Sequence, residues 1–142
     1  MNIDEIDEME AGRGINVLIA YKIMGWTDIS TALGEAWGIP PKEGHSMMYD
    51  VVMGFGKKAP IPGYSTNIDN AWDIITRMND ASFLLERSLI DNDSWRARFG
   101  CHEDGRLIGT MTRGTASTPA LAICRAVLKL WEGSSEDYQP TD

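Results

Sequence analysis

Residues 82–112 read SFLLERSLI, DND, SWRARFGCH, EDG and RLIGTMT, three runs rich in apolar and aromatic residues parted by two short acidic turns. Asp91-Asn92-Asp93 and Glu103-Asp104-Gly105 carry the small polar residues that hairpin connections need. The spacing predicts three strands, Ser82 to Ile90, Ser94 to His102 and Arg106 to Thr112, paired as an antiparallel meander. Side chains alternate along a strand. Trp95, Ala97, Phe99 and Cys101 therefore share one face of the middle run, and Arg96, Arg98, Gly100 and His102 the other.

Helix signals lie on both sides of this meander. After it, Ser117 or Thr118 can cap a helix whose first turn holds Pro119, where the missing N–H costs nothing, and the pattern runs to about Trp131. Before it, Ile68, Ala71, Trp72, Ile75 and Met78 fall on one helix face behind a cap at Ser65 or Thr66. That helix is expected on the surface of the sheet. Further back, Ile15, Leu18, Ile19 and Ile23 mark a helix from Glu10 to a stop at Gly25, with Trp26 packed against its stripe. The stretch from Thr27 to Gly63 is mixed and rich in Gly and Pro, with a possible strand at Met47 to Met53. It reads as an elaborated connection. The order helix, connection, helix, three strands, helix predicts an α+β fold, an antiparallel sheet of three to four strands covered by helices.

The chain has 142 residues, 43% of them apolar, enough for one core. Residues 1–131 are expected to form a single ligand-binding domain, and 132–142 a disordered acidic tail. No apolar run approaches the roughly 18 residues of a membrane span, and Met1-Asn2-Ile3-Asp4-Glu5 is acidic where a secretory signal would be basic. A cytoplasmic protein without membrane contact is expected. Cys101 and Cys124 lack a Cys-x-x-Cys partner, and only His45 and His102 could join them, so no metal is expected. A net charge of −8 and a pI near 4.7 argue against wrapping duplex nucleic acid. A local arginine cluster can still hold a small anion.

The residues offer little for catalysis. There is no Gly-x-Ser-x-Gly elbow, P-loop, zinc-protease helix or Rossmann fingerprint, and a non-enzyme is expected. Asp4, Glu5, Asp7, Glu8 and Glu10 crowd the first helical turns, where carboxylates are solvated and favoured by the helix dipole. The arginines say more. Arg96 and Arg98 share a strand face, Arg113 ends the next strand, and Arg125 interrupts an apolar helix between Cys124 and Ala126. A guanidinium there needs a partner, either an internal carboxylate or a ligand phosphate. The turn from Arg113 through Ser117 and Thr118 to Pro119 can bind an anion at a helix N-terminus or simply cap that helix. Phe99 can stack on a base or fill the core.

Four ordered pieces carry a resemblance: MEAGR at 9–13, LIAYKIMGW at 18–26, YSTNIDNAW at 64–72 and TPALAICRA at 118–126. Together they resemble the phage α/β/α sandwich domain family of small phage and prophage proteins. The connection from Thr27 to Gly63 is longer than that pattern. The chain is also similar to the first anti-Thoeris family, phage proteins that sequester cyclic ADP-ribose isomers made by bacterial TIR-domain enzymes; some members of that family also hold cyclic oligonucleotides. This resemblance implies a homo-oligomer, dimer or hexamer, that binds its signal in the host cytoplasm without cleaving it and without a cofactor. It implies an aromatic of the sheet stacked on adenine and an arginine of the last helix near the ligand, for which Phe99 and Arg125 are the matching positions. Arg98, Arg113, Ser117 and Thr118 join them on the anion-binding argument. The rival expectations are a phage accessory protein that contacts protein partners and a hydrolase of the same messengers.

Overall fold

The computed structural model describes residues 2–31, 34–41, 58–78, 81–88, 94–103 and 106–132. In chain order they form helix α1 (Ile3–Glu8) and helix α2 (Arg13–Leu18), which runs on as a π-helical segment (Ile19–Met24). Strands β1 (Thr27–Ser30), β2 (Trp37–Ile39) and β3 (Ala59–Pro60) follow, then helix α3 (Ile68–Arg77). Strands β4 (Ala81–Arg87), β5 (Trp95–Glu103) and β6 (Arg106–Ala116) lead into helix α4 (Pro119–Glu132).

Local chemistry sets the boundaries. The Asn2 side chain accepts the Glu5 amide at 2.8 Å and starts α1. Gly25, in the left-handed region at φ 83°, ends the π-helical segment, the stop expected there. Thr118 Oγ1 accepts the Leu121 amide at 3.4 Å and caps α4 ahead of Pro119. The cap of α3 is Asn67, whose side chain accepts the Asp69 amide at 2.8 Å. Ser65, expected in that role, is fully buried and bonds elsewhere.

The meander forms in the order β4-β5-β6, all antiparallel. Its register aligns Phe83 with Phe99 and Thr112, Leu84 with Arg98 and Arg113, and Glu86 with Arg96 and Thr115. The Ser88 amide donates to the Ser94 carbonyl at 2.9 Å, which fixes the parity of the ladder. Even-numbered residues of β5 bond to β4, and Trp95, Ala97 and Phe99 bond to Ala116, Gly114 and Thr112 of β6. Arg113 and Thr115 consequently turn their backbone groups toward the free edge.

Helix α4 lies between two layers. One side packs on β5 and β6, and the other meets α1, the π-helical segment and α3. From Ala120 to Leu130 only Arg125 and Lys129 escape full burial. Gly114 makes the close approach possible, because a Cβ there would collide with the Ala122 carbonyl and the Ala126 amide. Helix α3 packs on α4 and the π-helical segment instead of covering the sheet as expected. Ala71 and Ile74 point inward, while Trp72 is half exposed and meets the edge of Phe83 at 6.2 Å.

The connection after Trp26 holds a structure of its own, a small antiparallel sheet in the order β1-β2-β3. The possible strand at Met47 to Met53 lies outside the described residues. Glu132, assigned to the tail, closes α4 and forms a partly buried ion pair with Lys22 at 2.7 Å. Positions 133–142 lie outside the described residues. The protein is thus an α+β fold with two three-stranded antiparallel sheets among the described residues.

Candidate functional site

No described element covers the face of the meander opposite α4. Alternation sets Leu84 and Glu86 of β4, Arg96 and Arg98 of β5, and Arg113 and Thr115 of β6 on it. Arg98 and Arg113 stand directly opposite one another. By the parity of the ladder theirs is a non-hydrogen-bonded pair, the kind in which Cα atoms come within about 4.5 Å and side chains are closest. Like charges so placed repel. Glu86 lies near two of the guanidinium groups, at 3.4 Å from Arg96 Nη1 and 3.5 Å from Arg98 Nη2. Both contacts are longer than a strong charge-assisted hydrogen bond. Arg98 Nε is buried with no partner, and the Arg113 guanidinium makes no ion pair among the described residues. Leu84, beside Arg98 in the register, is 46% exposed.

The other expected site residues fall elsewhere. Phe99 is fully buried, with its ring centre 4.9 Å from that of Phe83. Its face is spent on packing under α4, and no surface is left for a base. Among the described residues Arg125 forms neither the internal ion pair nor an open clamp. Its Nε and Nη2 donate to the Met9 carbonyl at 3.2 and 2.6 Å, and its Nη1 to the Thr115 carbonyl at 2.7 Å. Backbone carbonyls are its partners because α4 passes the β6 edge at this point. Ser117 is exposed, and Thr118 is engaged as the α4 cap. The structure therefore unites Arg98 and Arg113 on the outer face and separates them from Phe99 and Arg125. Leu84 and Glu86 were missed, although the alternation applied to β5 would have placed them if extended to β4.

A second concavity, of about 510 Å³, opens between α2 and the small sheet, lined by Arg13, Asn16, Gly34, Glu35, Ala36, Pro60 and Ile61. Its polar groups serve the fold. Arg13 Nη1 donates to the Gly34 carbonyl at 2.6 Å. Asn16 Oδ1 accepts the Ser65 amide and hydroxyl at 2.8 and 2.7 Å, and Ser65 Oγ accepts the Gly12 amide at 2.9 Å. Nearby, Trp26 Nε1 donates to the Tyr64 hydroxyl at 3.2 Å in a buried pair. Burial pushes the Tyr64 phenol up to about 12 and raises the Cys124 thiol as well. The residues of the four sequence pieces thus act as fasteners between elements.

Among curated proteins none matches the chain. The family model described as the Phage ABA sandwich domain matches residues 17–128, from the second turn of α2 through most of α4 and including both sheets. With more than three-quarters of its length matched, the chain belongs to the Phage ABA sandwich domain family.

Proposed function

We propose that the protein is a non-enzymatic anti-defence factor that binds a nucleotide-derived immune messenger in the host cytoplasm and withholds it from its effector without cleaving it. The messenger class is a cyclic ADP-ribose isomer, with cyclic oligonucleotides as related ligands. The observation behind this reading is the uncovered pair Arg98 and Arg113, opposed across β5 and β6 with one buried Nε unpaired. Planar guanidinium groups suit a pyrophosphate, whose two charges would turn their repulsion into attraction. Exposed Leu84 offers an apolar shelf beside them for a ribose or base. An aromatic stack from Phe99 has no part in this arrangement. A homo-oligomer would close the open face from its other side.

Sequestration requires affinity and abundance only, which fits a chain without a recognisable catalytic motif. Purified protein is to be melted against a panel of cyclic ADP-ribose isomers and cyclic di- and trinucleotides, and the ligand recovered by heating. A ligand at a thousandfold excess over its dissociation constant adds about 4 kcal/mol. Stabilisation by one compound, its intact recovery and loss of the effect in Arg98→Gln/Arg113→Gln are the expected results. Altered ligand would replace this reading with a hydrolase. The absence of any shift would favour a protein partner, for which exposed Leu84 on an uncovered sheet face speaks.

A further inference from the structure

Strand β4 forms one edge of the meander, and its ladder to β5 runs from Ala81 to Arg87 without a break in register. The parity set by the bond from Ser88 to Ser94 turns the backbone groups of Ser82, Leu84 and Glu86 toward β5. Phe83 and Leu85 therefore turn their N–H and C=O groups outward, and among the described residues neither has a hydrogen-bond partner at that edge. Edges of this kind are commonly blunted by a proline, a bulge or a charge in mid-strand. From Ala81 to Leu85 the strand carries none of these. It also shows apolar surface on both faces. Leu84 is exposed on the outer one. On the inner one Phe83 and Leu85 are only partly buried, and the Trp72 ring of α3 stands edge-on to Phe83. Ile68, one turn before Trp72 on the same helix, is exposed as well. An apolar strip thus runs from the flank of α3 across the open edge to the outer face, the kind of surface that marks an interface.

We propose that this edge is a dimer interface, at which β4 pairs antiparallel with β4 of a second copy of the chain and joins the two meanders into one six-stranded sheet. The strand is complementary to itself, as a two-fold contact requires. With the axis at Leu84, Phe83 of each chain pairs with Leu85 of the other, and their outward groups supply reciprocal N–H···O bonds. Leu84 then meets Leu84 in the non-hydrogen-bonded position, where side chains approach closest. Glu86 falls against Ser82 and Arg87 against Ala81, so no charge opposes its like. Other registers are poorer. An axis at Leu85 sets exposed Leu84 against Glu86, and an axis at Glu86 sets carboxylate against carboxylate. On the inner face Trp72, beside Phe83, comes within reach of Leu85 of the second copy, which covers the exposed indole. This inference stands on the β4 edge and the α3 flank and does not require the ligand proposed above.

The test measures the mass of the full-length protein by size-exclusion chromatography with light scattering, with no nucleotide present. Wild type is expected as a dimer. Leu84→Glu and Leu84→Lys each set like charges against one another at the axis, on a side chain that the fold of one chain leaves exposed, and each is expected to run as a monomer. Mixing the two variants in equal amounts should restore the dimer, since opposite charges then face across the axis. Trp72→Lys reaches the same interface from the helix and is expected to weaken the dimer about tenfold or more. The proposal is overturned if wild type is monomeric, if the Leu84 variants, folded by circular dichroism, stay dimeric, if their mixture stays monomeric, or if Trp72→Lys leaves the dimer as tight as before.

Discussion

Gly114 is where β6 and α4 come closest, and its missing Cβ is what permits them to touch. In Gly114→Ala the new methyl meets backbone on the helix side, which unlike a flexible side chain cannot swing away. A loss of about 3 kcal/mol is expected, read as a fall in the urea midpoint. Tyr64 gives a pH signature. Its folded pKa of about 12, raised by burial, exceeds the ordinary value of 10. The stability tied to its neutral form is therefore complete below pH 10 and lost as pH rises through 12. The gap corresponds to about 3 kcal/mol at most. Buried Cys124, shifted in the same direction, adds to the loss. Alkaline denaturation of Tyr64→Phe should consequently be shallower than wild type but not flat. At this scale the sequence was legible wherever a residue's role depends on near neighbours. The stop at Gly25 and the cap at Thr118 are examples. Arg125 was ambiguous because a helix pattern shows that a charge is embedded, while its partners, the carbonyls of Met9 and Thr115, come from elements brought near only by folding.

Among the elements, α4 and the meander were the most legible, and for the same reason. Each carries start, stop and periodicity within its own residues. The Thr118 cap can be tested directly, since Thr118→Ala should cost about 1 kcal/mol in thermal or urea unfolding without disturbing the fold. Strand β6 extends to Ala116 because Arg113-Gly114-Thr115-Ala116 continues to pair with β5, although glycine and small polar residues made this stretch look like a turn. Helix α1 stayed hidden behind its carboxylates. Its single anchor, Ile6, is too little for a periodic signal, and Asn2 supplies the cap. Helix α3 shows the opposite limit. Its stripe was visible, yet the stripe could not say whether a sheet or another helix would receive it. Trp72, counted with that stripe, sits outward against the edge of Phe83.

Taken whole, the molecule bears a charge of −8, yet among the described residues three arginines and one glutamate stand on the uncovered side of its meander. Anions should therefore act on it by identity as well as by ionic strength. Pyrophosphate is expected to raise the melting temperature above that in chloride at matched ionic strength, and Arg98→Gln/Arg113→Gln to abolish the difference. The fold class could be read in the order of elements, and the family from short pieces of which three, at 18–26, 64–72 and 118–126, fall within the matched residues and the fourth, at 9–13, does not. The site could be read only in part, because the register that opposes Arg98 and Arg113 is a property of two paired strands, which neither strand states alone. The placement of α4 carries a consequence for how the chain is made. The centre of the core is the last described element in sequence, and every layer packs against a helix that the ribosome delivers after all the others. Nascent chains should therefore remain protease-sensitive until residues near 132 have cleared the exit tunnel. A stop codon at any point before Pro119 should yield a fragment for degradation, with no smaller working protein to recover.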